Sequence, residues 1–259
     1  MNNISERTAE KILNDAASHI GKTDWYFNLH FYRLVYILNI ILKRKRDTKK
    51  EIVLELGVWP GYLALSLQNA DFEVRGVDID PSRVRQICSQ IRIENYDLNQ
   101  RPIKLPFPEN NFDYIVASEI IEHIDPDNLP GLFFEIHRLL NRDGLAIITT
   151  PNKNSLHNIL SCKNNNPSEA INGHGHIREY TLDELQELIK KSPLILTKSK
   201  TVNFYSNIGT LPLGKYFYPL KDFWKYSNKL FNLLKFCSIP LKQFPAFKDS
   251  IILLVQKND

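Results

Sequence analysis

The chain has 259 residues, a net charge of +4 and 24% charged side chains, with 43% hydrophobic residues. Those figures fit one large domain with an appendage and exclude a disordered or collagen-like chain. A charge this small does not by itself indicate nucleic acid. Cys88, Cys162 and Cys237 are scattered and form no CxxC, so neither a disulfide framework nor a zinc motif is expected, and a cytoplasmic setting is. The polar start "MNNISERTAEK" is no signal peptide, and the apolar run 34–42 is too short to span a bilayer.

Residues 1–50 read as an amphipathic helical extension ending in the basic run "KRKRDTKK". From 51 onward the pattern alternates. Strands are predicted at 51–56, 72–79, 92–96, 112–118, 144–150, 194–202 and 250–257, with helices at 62–70, 81–90, 128–140 and 181–191. Such alternation predicts a parallel α/β sheet. The segment 205–248 interrupts it with aromatic, proline and lysine residues: seven lysines against one aspartate from Lys215 to Lys248. Lys221, Lys225 and Lys229 fall on one helical face. A lid over the active site is the first expectation for this insertion. Peripheral contact with an anionic membrane, at the inner face, is the second.

Two stretches carry ligand chemistry. "LELGVWPGY" (54–62) is a strand entering a glycine turn and then a helix, and Asp78 in "GVDID" closes the next strand. Glycines let backbone approach a ligand, and a carboxylate at that place can accept the hydroxyls of a ribose. "SEIIEHI" (118–124) follows the fourth strand and groups Glu119, Glu122 and His123. If it opens a helix, these share one face at the mouth of the site. "GHGHIREYT" (173–181) adds His174 and His176.

The runs "YDLNQRPIKLPFPENNFDYIVASEIIEHI" (96–124) and "RLLNRDGLAIITTPN" (138–152) resemble the class I S-adenosylmethionine (SAM)-dependent methyltransferases, of the methyltransferase-11/23-like kind, over about 51–204. That resemblance implies a Rossmann-like seven-stranded sheet whose last strand is antiparallel, within a methyltransferase domain spanning 51–259. It also implies SAM as cofactor. Glu55, Gly57 and Gly61 would line its methionine and ribose side, Asp78 the ribose hydroxyls, and Asp97 and Leu98 the adenine edge, with Ile79 also among the cofactor-binding residues. Trp59 stands where the family usually has a further glycine.

Glu119, Glu122, His123 and a later His-x-x-Glu-aromatic resemble the small-RNA 3′-terminal 2′-O-methyltransferases, and at the first three positions the ubiquinone-pathway O-methyltransferases. By that resemblance Glu119, Glu122, His123 and His176 would hold Mg²⁺ or Mn²⁺, with His174 a ligand, a base or a loop residue. Two loop histidines without a metal remain the alternative. A bound cation would acidify and orient one hydroxyl of a vicinal diol for methyl transfer. The nitrogen donors predict that Mn²⁺ or Co²⁺ matches or exceeds Mg²⁺.

The ending "FPAFKDSIILLVQK" resembles methyltransferases of bacterial surface-polysaccharide clusters. A sugar hydroxyl in glycan biosynthesis is therefore the first acceptor expected, a ubiquinone-type phenol the second, and an RNA 2′-hydroxyl the third, since no RNA-binding module is evident. A non-catalytic adaptor on the same fold, using 205–248 as its binding surface, is the reading of another class.

Overall fold

The computed structural model describes residues 2–20, 25–46, 49–85, 88–155, 175–202 and 248–258. His174, the insertion 205–248 apart from Lys248, and the lysine face at 221, 225 and 229 lie outside them.

Two helices come first, α1 (Asn2–Ile20) and α2 (Trp25–Arg44). They are followed by β1 (Ile52–Leu56), α3 (Tyr62–Asn69), β2 (Glu73–Asp78), the short α4 (Ser82–Arg85) and β3 (Arg92–Asn95). Then come β4 (Phe112–Ser118), a 3-10 turn (Ile121–His123), α5 (Leu129–Leu139) and β5 (Leu140–Pro151). The chain closes with α6 (Leu182–Lys190), β6 (Leu194–Val202) and β7 (Ser250–Lys257). The seven strands form one sheet in the order β3-β2-β1-β4-β5-β7-β6. β7 runs antiparallel to both β5 and β6, whereas the other pairings are parallel. This is the Rossmann-like methyltransferase sheet expected.

Strand alternation divides the core between the two sheet faces. Val53, Tyr114, Val116, Leu145 and Ile147 face a cluster that includes Leu13, Leu38, Ile41 and Leu67. Their neighbours Leu54, Ile115, Ala117, Ala146 and Ile148 face a cluster with Leu132, Phe133, Ile136, Leu185 and Ile189. Helices α1 and α2 therefore share a core with the sheet and cover one face of it. At the rim opposite the strand C-termini, Asp113 ties the end of this extension down. Its carboxylate accepts from Arg46, Lys49 and Asn141 side chains and from the Ile52 amide at 2.9–3.1 Å.

Helix α6 begins with a reciprocal cap. Thr181 Oγ1 accepts from the Glu184 amide at 3.2 Å, and the Glu184 carboxylate accepts from the Thr181 amide at 2.8 Å. That cap fixes where the chain arriving from His176 turns into helix. Among the described residues no helix is long and apolar enough to cross a membrane.

Candidate active site

At the C-terminal end of β1 the chain turns through Gly57 (φ 75°) and Gly61 (φ 97°). Gly57 has a second reason to lack a side chain: a Cβ there would stand 2.3 Å from Ile120 Cδ1. The glycine turn thus lies directly against the loop that leaves β4. Asp78, at the end of β2, is 9% exposed. Its Oδ2 accepts from the Trp59 amide at 3.0 Å and its Oδ1 from the Asp80 amide at 2.9 Å. Each carboxylate oxygen has two lone pairs, so both keep capacity for a further donor such as a ribose hydroxyl.

Glu55 is buried behind this turn, and its Oε2 has no hydrogen-bond partner. Burial, and then the charge of Asp78, push its carboxyl well above the usual carboxylate range. Beside Asp78, Ile79 is 67% exposed, an apolar surface suited to one face of a purine. Asp97 accepts from the Asn99 amide at 2.8 Å and lies in the loop after β3 with Leu98. An orphaned carboxyl oxygen, a glycine cradle and an exposed apolar side chain beside a carboxylate together fit SAM.

The loop after β4 corrects one expectation. "SEIIEHI" does not open an α-helix: Glu119 has φ 55°, and only Ile121–His123 form a single 3-10 turn. Glu119 consequently does not take its place on a helical face with Glu122 and His123, and its carboxylate is engaged elsewhere. Its Oε2 lies 3.3 Å from Arg33 of α2 and its Oε1 accepts from Thr149 Oγ1 at 3.0 Å. Arg33 is 1% exposed, so this is a buried ion pair.

Glu122, His123 and His176 do come together, each offering a ligand atom within 4.8 Å of the others. Glu119 is not part of this group. The assembly spans two segments. The Glu122 carbonyl accepts from the amides of Ile177 and Arg178 at 2.8 and 3.1 Å, which draws the His176 segment onto the 3-10 turn. Both imidazoles are held through Nδ1. His123 Nδ1 lies 3.3 Å from the Gly175 carbonyl oxygen and His176 Nδ1 lies 3.0 Å from Glu179 Oε1. Both partners are acceptors, so Nδ1 carries a proton, which in a neutral imidazole is the tautomer whose Nε2 can ligate a metal.

Glu122 is fully buried. Its Oε2 accepts from Thr150 Oγ1 at 2.9 Å, and its Oε1 has no hydrogen-bond partner. Burial, reinforced by the charge of Glu119, raises its carboxyl well above the ordinary value. A buried carboxyl oxygen with no hydrogen-bond partner, within 4.8 Å of ligand atoms of two imidazoles anchored through Nδ1, fits a divalent cation.

Several contributors escape a reading of the sequence. Arg33 is one, although an arginine followed by "LVYILNIIL" signals a charge that needs a buried partner. Thr149 and Thr150, at the end of β5, orient the two glutamates. Glu179 belongs to the quoted His-x-x-Glu, and its bond to His176 gives it a role that the spacing alone does not. Trp59, standing in the glycine loop, packs edge-on against Tyr26 of α2 with ring centroids 5.1 Å apart. The N-terminal helices thus take up the bulk of the side chain that replaces a glycine.

Sheet order, antiparallel β7 and a glycine turn facing an acidic strand end define a class I SAM-dependent methyltransferase. The family model of a methyltransferase domain matches residues 29–194, and the chain belongs to that family. Its curated relatives include the ubiquinone biosynthesis O-methyltransferases of Rickettsia felis and Rickettsia typhi. The first is 22% identical over 85% of this chain and 86% of the relative. The second is 23% identical over 56% of this chain and spans 58% of the relative's length.

Solved structures share the fold. A SAM-dependent methyltransferase from Archaeoglobus fulgidus superimposes with a TM-score of 0.56 at 16% identity, covering 90% of this chain and all of the other. The Burkholderia thailandensis 1,6-didemethyltoxoflavin-N1-methyltransferase, bound to S-adenosylhomocysteine, gives 0.55 at 16% identity over 98% and 90% of the two chains.

Proposed function

We propose that the chain is a metal-assisted O-methyltransferase acting on one hydroxyl of a vicinal diol. The observation that carries this reading is the meeting of Glu122, His123 and His176 within 4.8 Å, with both imidazoles anchored through Nδ1. SAM supplies the methyl group, and a divalent cation would acidify and orient the accepting hydroxyl. The residues of this chain do the rest. Asp78 would hold the ribose, Ile79 with Asp97 and Leu98 the adenine, and Glu55, Gly57 and Gly61 the methionine side. Glu122, His123 and His176 would hold the cation. Glu122 must give up its proton to do so, so cation affinity should rise with pH. Glu119 remains a fourth candidate ligand only if it leaves Arg33.

The acceptor favoured is a catechol-type phenol, because the Rickettsia relatives are named for ubiquinone biosynthesis. The sugar acceptor suggested by the C-terminal stretch finds no counterpart among the relatives named above. The test is transfer of labelled methyl from SAM to a dihydroxybenzoate and to a sugar diol, each with Mn²⁺ and with excess EDTA. Mn²⁺-dependent labelling of the catechol is expected. Equal activity in EDTA would overturn the metal role, and labelling of the sugar alone would overturn the acceptor.

A further inference from the structure

The segment 122–125 is gripped from two sides. On one side its Glu122 carbonyl accepts from the amides of Ile177 and Arg178. On the other side stands Asn99, from the loop after β3. Its Nδ2 donates to the His123 carbonyl at 3.1 Å, and its Oδ1 accepts from the Asp125 amide at 2.7 Å. One side-chain amide therefore pairs with two backbone groups two residues apart, as a neighbouring strand would. Asn99 is itself fixed twice. Its amide donates to Asp97 Oδ1 at 2.8 Å, and its carbonyl accepts from Asn128 Nδ2 at 2.7 Å, Asn128 being 5% exposed. A continuous set of bonds thus runs from Asp97, on the adenine side, through Asn99 to the backbone of His123.

We infer that Asn99 is a positioning residue that couples cofactor binding to the Glu122–His123–His176 cluster. This rests on the functional reading above. A ligand that orders the 97–99 loop orders the backbone bearing His123, and a cation that fixes His123 prepares the adenine loop in return. Coupling between two sites is reciprocal, so SAM and the cation raise each other's affinity. Asn99 touches neither ligand in this scheme. It acts by holding the His123 backbone.

The test is calorimetric titration of SAM into the full chain with and without Mn²⁺, and of Mn²⁺ with and without SAM. Wild type should show the same gain both ways, about tenfold, within the roughly 5–150-fold common for coupled sites. Asn99→Ala should bind each ligand alone but reduce the mutual gain to twofold or less. Asn99→Ser serves where the alanine variant does not fold. Hydrogen exchange of the Asp125 amide gives a second readout, independent of metal: SAM should slow it in wild type and not in the variant. Coupling retained in a folded Asn99 variant, or absent from wild type that binds both ligands, overturns the inference. Failure of wild type to bind Mn²⁺ at all overturns the metal reading first and the coupling with it.

Discussion

The cofactor end and the cluster end of the site differ in how far along the chain their contacts reach. Asp78 is held by amides 19 and 2 residues away, from a turn and a strand end that belong to consecutive units. Glu122 depends on Thr150, 28 residues on, and His123 on Gly175, 52 residues on. The first region is built by local backbone rules. Gly57 and Gly61 take positive φ, and the amide of Trp59 then falls on Asp78. The second is assembled by tertiary folding, from two loops brought together above β4 and β5. The second end also holds the fully buried Glu122 and the ion pair of the buried Arg33 with Glu119.

That difference can be sharpened by removing one group at a time. The largest effect on stability is expected from Arg33→Ala. It strands Glu119 in a site where its side chain is 13% exposed, and should lower stability by about 3–5 kcal/mol in urea unfolding. Adding Glu119→Gln should recover part of the loss, because the unpaired charge is then gone. An equal loss in the double variant would mean that Arg33 contributes packing rather than pairing.

Glu179→Gln comes next. It keeps the shape of the His176 partner but removes the charge that favours the Nδ1 proton. Mn²⁺ affinity should fall by about 10–100-fold while SAM affinity holds. A matching fall in both would place Glu179 in the general scaffold.

Per pH unit, the smallest change is expected from Glu55→Gln, read by urea unfolding of SAM-free protein across pH. The Glu55 carboxyl is raised in the folded chain above its ordinary value of 4.5. Its contribution is therefore fully present below about that pH and is lost as pH rises through the folded value. Relative to Glu55→Gln, wild type should lose up to about 1.4 kcal/mol per pH unit over that window. A pH-independent difference would show that Glu55 ionises in the fold as freely as in the unfolded chain.

The same contrast explains what could be read from the sequence. The sheet, its seven strands and the glycine turn rest on local periodicity and φ preferences, which a sequence carries openly. So does the capped start of α6, where Thr181 and Glu184 stand three apart. Only on a helix would Glu119 share a face with Glu122 and His123. The left-handed Glu119 and the lone 3-10 turn break that spacing, because the loop must pass Gly57 with Ile120 against it. Arg33 lies 86 residues from Glu119, and no local pattern announces their pairing.

The measurement that bears most directly on the central claim is calorimetric titration of Mn²⁺ into the SAM-loaded full chain. Wild type, Glu122→Gln and His176→Ala would be compared at a pH above neutrality. Saturable binding in wild type, weakened by about 100-fold or more in both variants, is the predicted result, since losing a ligand should cost at least as much as losing an outer partner. Binding of equal strength in all three, with each variant folded, would contradict it.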